Sequence, residues 1–137
     1  MEMNQESVVY GCIKDSADNG VAERRQVNKA ALSSLPAAES WPIISREMFS
    51  TPETQDEISL HTHVTHFGAS YQGIEYEWKH WLEQFENLLR KMYWVSATVH
   101  LETEMSGTHS FIWHTDKGEH QPGVKDIKIR CEWIHDA

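Results

Sequence analysis

Histidine residues offer the first candidate for chemistry in this sequence, which contains nine of them. His61 and His63 form an H-x-H pair, and a β-strand would place both imidazoles on one face, about 6–7 Å apart. Paired imidazoles at this spacing suit zinc or iron. His100, His109 or His114, on neighbouring predicted strands, could supply a further ligand. The alternative function predicted from these residues is a small metal-binding protein or a metal-dependent enzyme.

Other features of the sequence argue against this metal site. In the double-stranded barrel metalloenzymes a glutamate follows the H-x-H pair, whereas Gly68 and Ser70 occupy that region here. Strand histidines that face solvent or form hydrogen bonds are therefore the favoured interpretation. Neither Cys12 nor Cys131 lies at a predicted helix start that would activate its thiol, and no nucleophile elbow or phosphate loop is present. We predict no catalytic residue, bound metal or cofactor.

Acidic and aromatic side chains form the second candidate for a functional surface. Glu102 and Glu104 share one face of a predicted strand and flank an exposed hairpin turn at 105–108. If a helix covers the other face of that strand, Trp94 stands on the uncovered face; alternatively, Trp94 belongs to a second small core. Aromatic anchors provide much of the energy of protein binding, and acids steer a basic partner. The residues predicted to bind a partner are Trp94, His100, Glu102, Glu104, Trp113 and Asp116.

The composition limits the classes of partner. The 137 residues include 21 acids and 12 bases, which gives a formal net charge of −9. This charge argues against direct nucleic acid binding, for which a basic surface supplies most of the affinity, and fits solubility or a basic protein partner. No run is long enough to span a membrane, and the N-terminus lacks the pattern of a secretory signal. We therefore expect a cytoplasmic protein, monomeric or homodimeric, that binds no membrane.

The stretch from Gly73 to Glu104 would position these candidate residues. Its apolar side chains follow the spacing of a single helical stripe, and they are Ile74, Trp78, Trp81, Leu82, Phe85, Leu88, Leu89 and Met92. From Tyr93 the period changes to two, which predicts a strand with Trp94, His100 and Glu102 on one face. Because almost no loop separates helix from strand, the helix must lie back across the sheet.

Shorter patterns predict the remaining elements. The chain reads as a strand, a weakly patterned helix, a short edge strand, and four further strands around the long helix. The predicted ranges are Ser7–Ile13, Val21–Leu35, Glu47–Ser50, Ile58–Phe67, 109–114 and Ile127–His135, with a loop at 68–73. Adjacent strands with few helices predict an α+β fold. We expect a single domain over residues 1–137, mainly an antiparallel sheet with one long amphipathic helix across it and a weaker N-terminal helix.

Several stretches together resemble a known class of proteins. They are Val9–Ile13, His66–Tyr71, Glu77-Trp78 with Phe85–Leu89, and Trp94–Glu102. Between Ser7 and Trp113 the pattern is similar to bacterial immunity proteins, which are encoded beside polymorphic toxins delivered by contact-dependent or type VI systems. The resemblance implies a cytosolic antidote that binds one toxin domain and occludes its active site. Many such toxins are basic nucleases, which would suit the acidic charge by analogy.

Overall fold

The computed structural model describes residues 6–16, 21–40, 43–51, 63–125 and 127–134. Six strands form one sheet in the order β2-β3-β1-β4-β5-β6, and all neighbouring pairs are antiparallel. The strands are β1 Glu6–Asp15, β2 Phe49–Ser50, β3 His63–Gln72, β4 Ser96–Thr103, β5 Gly107–His114 and β6 Lys128–Ile134. The α-helices are α1 Val21–Ser33 and α2 Trp78–Leu89, and 3-10 helices lie at Ala38–Ser40, Arg46–Met48 and Ile74–Glu77. The predicted α+β class is confirmed.

Helix α2 packs its apolar stripe across the sheet, as the spacing predicts. The 3-10 turn at Ile74–Glu77 leads directly into it, so the helical segment spans 16 residues. Phe85 lies at the centre of the contact, with its ring 5.3 Å from Phe67 on β3 and 5.0 Å from Trp113 on β5. Aromatic pairs at these distances add to the area that they bury. The core therefore lies between α2 and one face of the sheet.

Helix α1 is held on the same side of the sheet mainly by polar contacts. Arg24 pairs with Asp15 at 2.5 Å and with Glu119 at 3.3 Å, and its guanidinium lies 4.8 Å from the ring of Tyr93. The amide of Asn28 donates to the Tyr93 carbonyl and accepts from the Tyr93 backbone N–H. The apolar stripe of α1 is thin, so these polar contacts provide much of the attachment of the helix to the sheet. Ala31 and the neighbouring leucines also reach the core.

The central strand β1 approaches β4 closely at Gly11. A Cβ atom at this position would lie 1.9 Å from the carbonyl oxygen of Thr98 and 2.9 Å from the ring of Phe67. Any larger residue would push the two strands apart. Glycine at this position therefore permits the close contact between the two strands.

Three predicted elements differ from the structure. The predicted loop at 68–73 is largely strand, because β3 continues to Gln72 and pairs with β1 along its length. Strand β4 begins at Ser96 rather than at Tyr93. The predicted edge strand Glu47–Ser50 is a 3-10 turn followed by the two residues of β2, and the beginning of the predicted strand Ile58–Phe67 lies outside the described residues.

Within the described ranges, no helix is both long and apolar enough to cross a membrane.

Candidate protein-binding face

The sheet has one covered face and one open face. Along β1, the side chains of Val9 and Ile13 are buried beneath the helices, whereas Val8 and Tyr10 are 36% and 37% exposed. Side chains alternate along a strand, and directly paired residues of neighbouring strands lie on the same face. The strand pairing therefore assigns the residues of the other strands to the covered or the open face. In the described parts of the chain, both α-helices pack on the covered face. The open face includes Glu6, Val8, Tyr10, Lys14, His66, His100, Glu102, Thr108, Ile112, His114, Lys128 and Arg130.

Tyr10 and His100 form the aromatic centre of the open face. They are direct cross-strand neighbours, and their rings lie 5.0 Å apart at a tilt of 35°. The Nδ1 atom of His100 lies 2.7 Å from the hydroxyl oxygen of Ser110 on the adjacent strand, which fixes the imidazole. A hydrogen bond to Glu102, together with burial and its charge, raises the pKa of the Tyr10 hydroxyl. The Tyr10 side chain is therefore held in place, although the residue is 37% exposed.

Acidic side chains border this centre at the hairpin end of the sheet. Glu102 is exposed near the end of β4, Glu104 is exposed in the turn that follows, and Met105 in the same turn is 76% exposed. Glu6 lies on the neighbouring strand β1, where its carboxylate accepts a hydrogen bond of 2.7 Å from Ser70. We call Glu6, Glu102 and Glu104 the acidic rim. A flat surface with aromatic and apolar residues inside an acidic border suits contact with a basic protein.

Asp116 is distant from this acidic rim. It follows β5 at the opposite end of the sheet, roughly 23 Å from the hairpin along an eight-residue strand. Its carboxylate accepts a hydrogen bond of 2.6 Å from Lys128, and this contact lowers the pKa of Asp116. Of the predicted set, His100 and Glu102 therefore share the open face of β4, Glu104 follows in the hairpin turn, and Asp116 lies at the other end of the sheet.

Trp94 and Trp113 are buried, which contradicts the prediction that they face a partner. Trp94 precedes β4 and forms an isolated bridge with His120, so the alternation of the strand does not extend back to it. Its indole nitrogen donates to the Leu89 carbonyl at 2.9 Å. Trp113 alternates with the open-face residues of β5 and lies under α2, where its indole nitrogen donates to Glu86 at 2.8 Å. Both side chains are 0% exposed.

His120 completes the small core around Trp94, and the sequence patterns did not identify it. Its imidazole stacks on the indole at 4.9 Å, with 17° between the ring planes. Its ring nitrogens each lie 2.8 Å from a backbone carbonyl oxygen, one of Met92 and one of Val124. This histidine fixes the loop after β5 against the end of α2. A loop without periodicity gives no signal from which this role could have been predicted.

The described histidines of the metal alternative do not converge. His63 lies on the covered face, where Arg25 donates to its ring at 3.1 Å, whereas His100 and His114 lie on the open face. Burial, and secondarily the charge of Arg25, lower the pKa of His63. His109 shares the covered face, but three strand spacings of roughly 14 Å separate β3 from β5. His61 lies outside the described residues. The described parts of the chain contain no group of three or more side chains placed to hold a metal ion.

The open-face residues of β1 are the main additions to the predicted site. The run from Ser7 to Ile13 indicates a buried strand, yet Val8 and Tyr10 belong to the open face.

Comparison with known protein families, with curated proteins and with solved structures gives no match to this chain. Its function is therefore argued from the geometry of its own residues.

Proposed function

We propose that this chain is an immunity protein that binds a cognate bacterial toxin and occludes its active site, using the hairpin end of the open face. The observation that supports this proposal most is the exposure of Val8 and Tyr10, inside the acidic rim, on a sheet face that neither described α-helix covers. The toxin class comes from the resemblance described above, and the location of the contact comes from the geometry.

The shape and chemistry of the open face favour a macromolecular partner. Its centre combines the Tyr10 ring with the imidazole of His100, and tyrosine is among the residues that contribute most to protein interfaces. Because each strand is held by its neighbours, the side chains of this face are fixed before binding. A preorganised surface loses less conformational entropy on association.

The charges favour a basic partner. Three carboxylates form the acidic rim, and the whole chain carries a formal charge of −9. Such a surface accelerates encounter with a basic domain, and salt reduces the effect. The opposite end of the open face carries Lys14 and Arg130, so a basic partner is expected to centre on the hairpin end.

A capture and rescue experiment tests the proposal. Tagged protein is used to isolate a partner from the source bacterium, and the captured protein is then produced in a test strain with and without this chain. We expect the captured protein to stop growth alone and growth to recover with the wild-type chain. The double substitution Glu102→Lys/Glu104→Lys should abolish both capture and recovery, because it replaces two attractive charges with repulsive ones.

The control variant is Glu77→Lys/Glu83→Lys, which makes the same change of charge at exposed positions of the 3-10 turn and of helix α2 that follows it. It should behave like the wild type. If both variants protect equally well, the hairpin end does not bind the toxin. If the captured protein has no effect on growth, the immunity function itself is excluded.

A further inference from the structure

Gly68 lies inside strand β3 at a position where the fold does not require glycine. Its φ angle is outside the left-handed region that favours glycine. A Cβ atom added there would have as its nearest described neighbours the Cβ of Tyr10 and the carbonyl oxygen of Val9, both at 3.7 Å. These are ordinary van der Waals distances, in contrast to the 1.9 Å contact at Gly11. Glycine inside a strand lowers stability, and it often marks a place where a ligand approaches the backbone.

The side chain of Tyr10 leaves the space above Gly68 open. The two residues are direct cross-strand neighbours on the open face, but Tyr10 makes its contacts with strand β4 on the other side. Its ring lies 5.0 Å from that of His100, and its hydroxyl donates a hydrogen bond to Glu102. Gly68 is exposed. We call the space above Gly68, beside the Tyr10 ring, the notch.

The groups around the notch suit a planar cation. Glu102 accepts the hydrogen bond from Tyr10, and Glu6 lies nearby, because it accepts a hydrogen bond from Ser70, two residues after Gly68 on the same face. A guanidinium can stack on an aromatic ring while it donates to a carboxylate, whereas an ammonium group is a compact point charge. The carbon chain behind the guanidinium can lie over the glycine, which has no side chain to exclude it.

We propose that an arginine side chain of the partner enters the notch, stacks on the Tyr10 ring and pairs with Glu102. This inference rests on the proposed function and names the group that the toxin inserts into the open face. A positive charge in the notch agrees with the neighbouring acidic rim. Gly68 is then a specificity-determining residue, because any larger side chain at this position fills the notch.

An NMR titration with the tripeptide acetyl-Gly-Arg-Gly-amide tests the notch without the toxin. At millimolar peptide and low salt, the backbone amides of Gly68 and Tyr10 should show the largest changes in chemical shift. Gly68→Val should reduce the change at Tyr10 at least about fivefold, because valine fills the notch. The peptide acetyl-Gly-Lys-Gly-amide should give smaller changes in the wild type, because its ammonium group does not stack on the ring as a guanidinium does.

Two further variants separate an occupied notch from a disturbed strand. Gly68→Val should melt at a temperature at least as high as the wild type, because β-branched residues favour strands and the added Cβ has ordinary contacts. Gly68→Ala makes the smaller change and should also reduce the response to the arginine peptide. Ser96→Val enlarges a side chain at the opposite end of the open face, and its response should equal that of the wild type.

The proposal is overturned if the arginine peptide does not shift the amides of Gly68 and Tyr10 in the wild type, or if the folded Gly68→Val protein responds equally. An equal response to the lysine peptide also overturns it. With the captured partner, Gly68→Val should bind at least about tenfold more weakly than the wild type. Wild-type affinity would overturn the notch but not the immunity function, which the growth assay decides by itself.

Discussion

At the scale of single residues, His120 shows how one buried polar side chain organises a loop. Its ring is fully buried, contacts two carbonyl oxygens and stacks on Trp94. Removing a buried side chain that satisfies backbone groups leaves those groups without partners and opens a cavity. The loop after β5 and the end of α2 both depend on this contact.

We expect His120→Ala to lower the free energy of unfolding by about 2–4 kcal/mol, because two hydrogen bonds and the stacking contact disappear. Urea denaturation monitored by tryptophan fluorescence measures the change. His80→Ala, on the exposed surface of α2, should change the stability by less than about 0.5 kcal/mol. Equal stability of the two variants would show that His120 does not anchor the loop.

Tyr10 and Glu102 give a prediction about pH. The hydrogen bond to Glu102 raises the pKa of Tyr10, so the fold favours the protonated phenol. This contribution to stability is present below the ordinary tyrosine pKa of about 10 and is lost as the pH rises through the higher folded value. In an NMR titration of the tyrosine rings, Glu102→Gln should lower the pKa of Tyr10 but not that of Tyr71, whose pKa is raised by burial. An ordinary pKa for Tyr10 in the wild type would contradict this arrangement.

At the scale of elements, α1 and α2 are held by different forces. Helix α2 could be predicted from its apolar spacing, and the same stripe is buried in the structure. Helix α1 has only a thin stripe, and Arg24, with a side chain 12% exposed, joins it to Asp15, with a side chain 8% exposed. Removing one partner of such a buried pair leaves the other charge without compensation.

Arg24→Ala should therefore lower the free energy of unfolding by about 3 kcal/mol, and it should increase hydrogen exchange at the amides of α1 more than at those of α2. The control is Arg46→Ala, which removes an ion pair with Glu47 at the surface and should have little effect. If exchange in α1 does not change, the apolar contacts of Ala31 and its neighbours hold the helix without the ion pair.

The end of β3 shows the limit of local sequence patterns. The segment from Gly68 to Gln72 contains glycine and small polar residues that are typical of a turn, but it pairs with β1 along its whole length. Gly68 pairs with Tyr10, and Ala69 with Val9. Strand propensity depends strongly on such neighbours. Contacts between distant parts of the chain decide this boundary, and no local pattern contains them.

At the scale of the whole molecule, the faces of the sheet decide which side chains can meet a partner. The alternation of β4 correctly groups His100 with Glu102 and places Val99 under the helix. It fails at Trp94, because the backbone leaves the strand at Val95, whose N–H donates to the Lys14 carbonyl. The fold class, and the position of His100 and Glu102 on one face of β4, could thus be predicted from the sequence. The roles of Tyr10 and His120 depend on tertiary contacts and could not.

The most direct test of the proposed contact is the affinity of the captured partner protein for two single-tyrosine variants, measured by calorimetry. Tyr10 lies at the centre of the open face, whereas Tyr76 is 78% exposed beside α2 on the other side of the molecule. We expect Tyr10→Ala to weaken binding at least about tenfold, as truncation of a central aromatic anchor does, and Tyr76→Ala to bind like the wild type. Unchanged affinity for Tyr10→Ala, or a loss confined to Tyr76→Ala, would contradict binding through the open face.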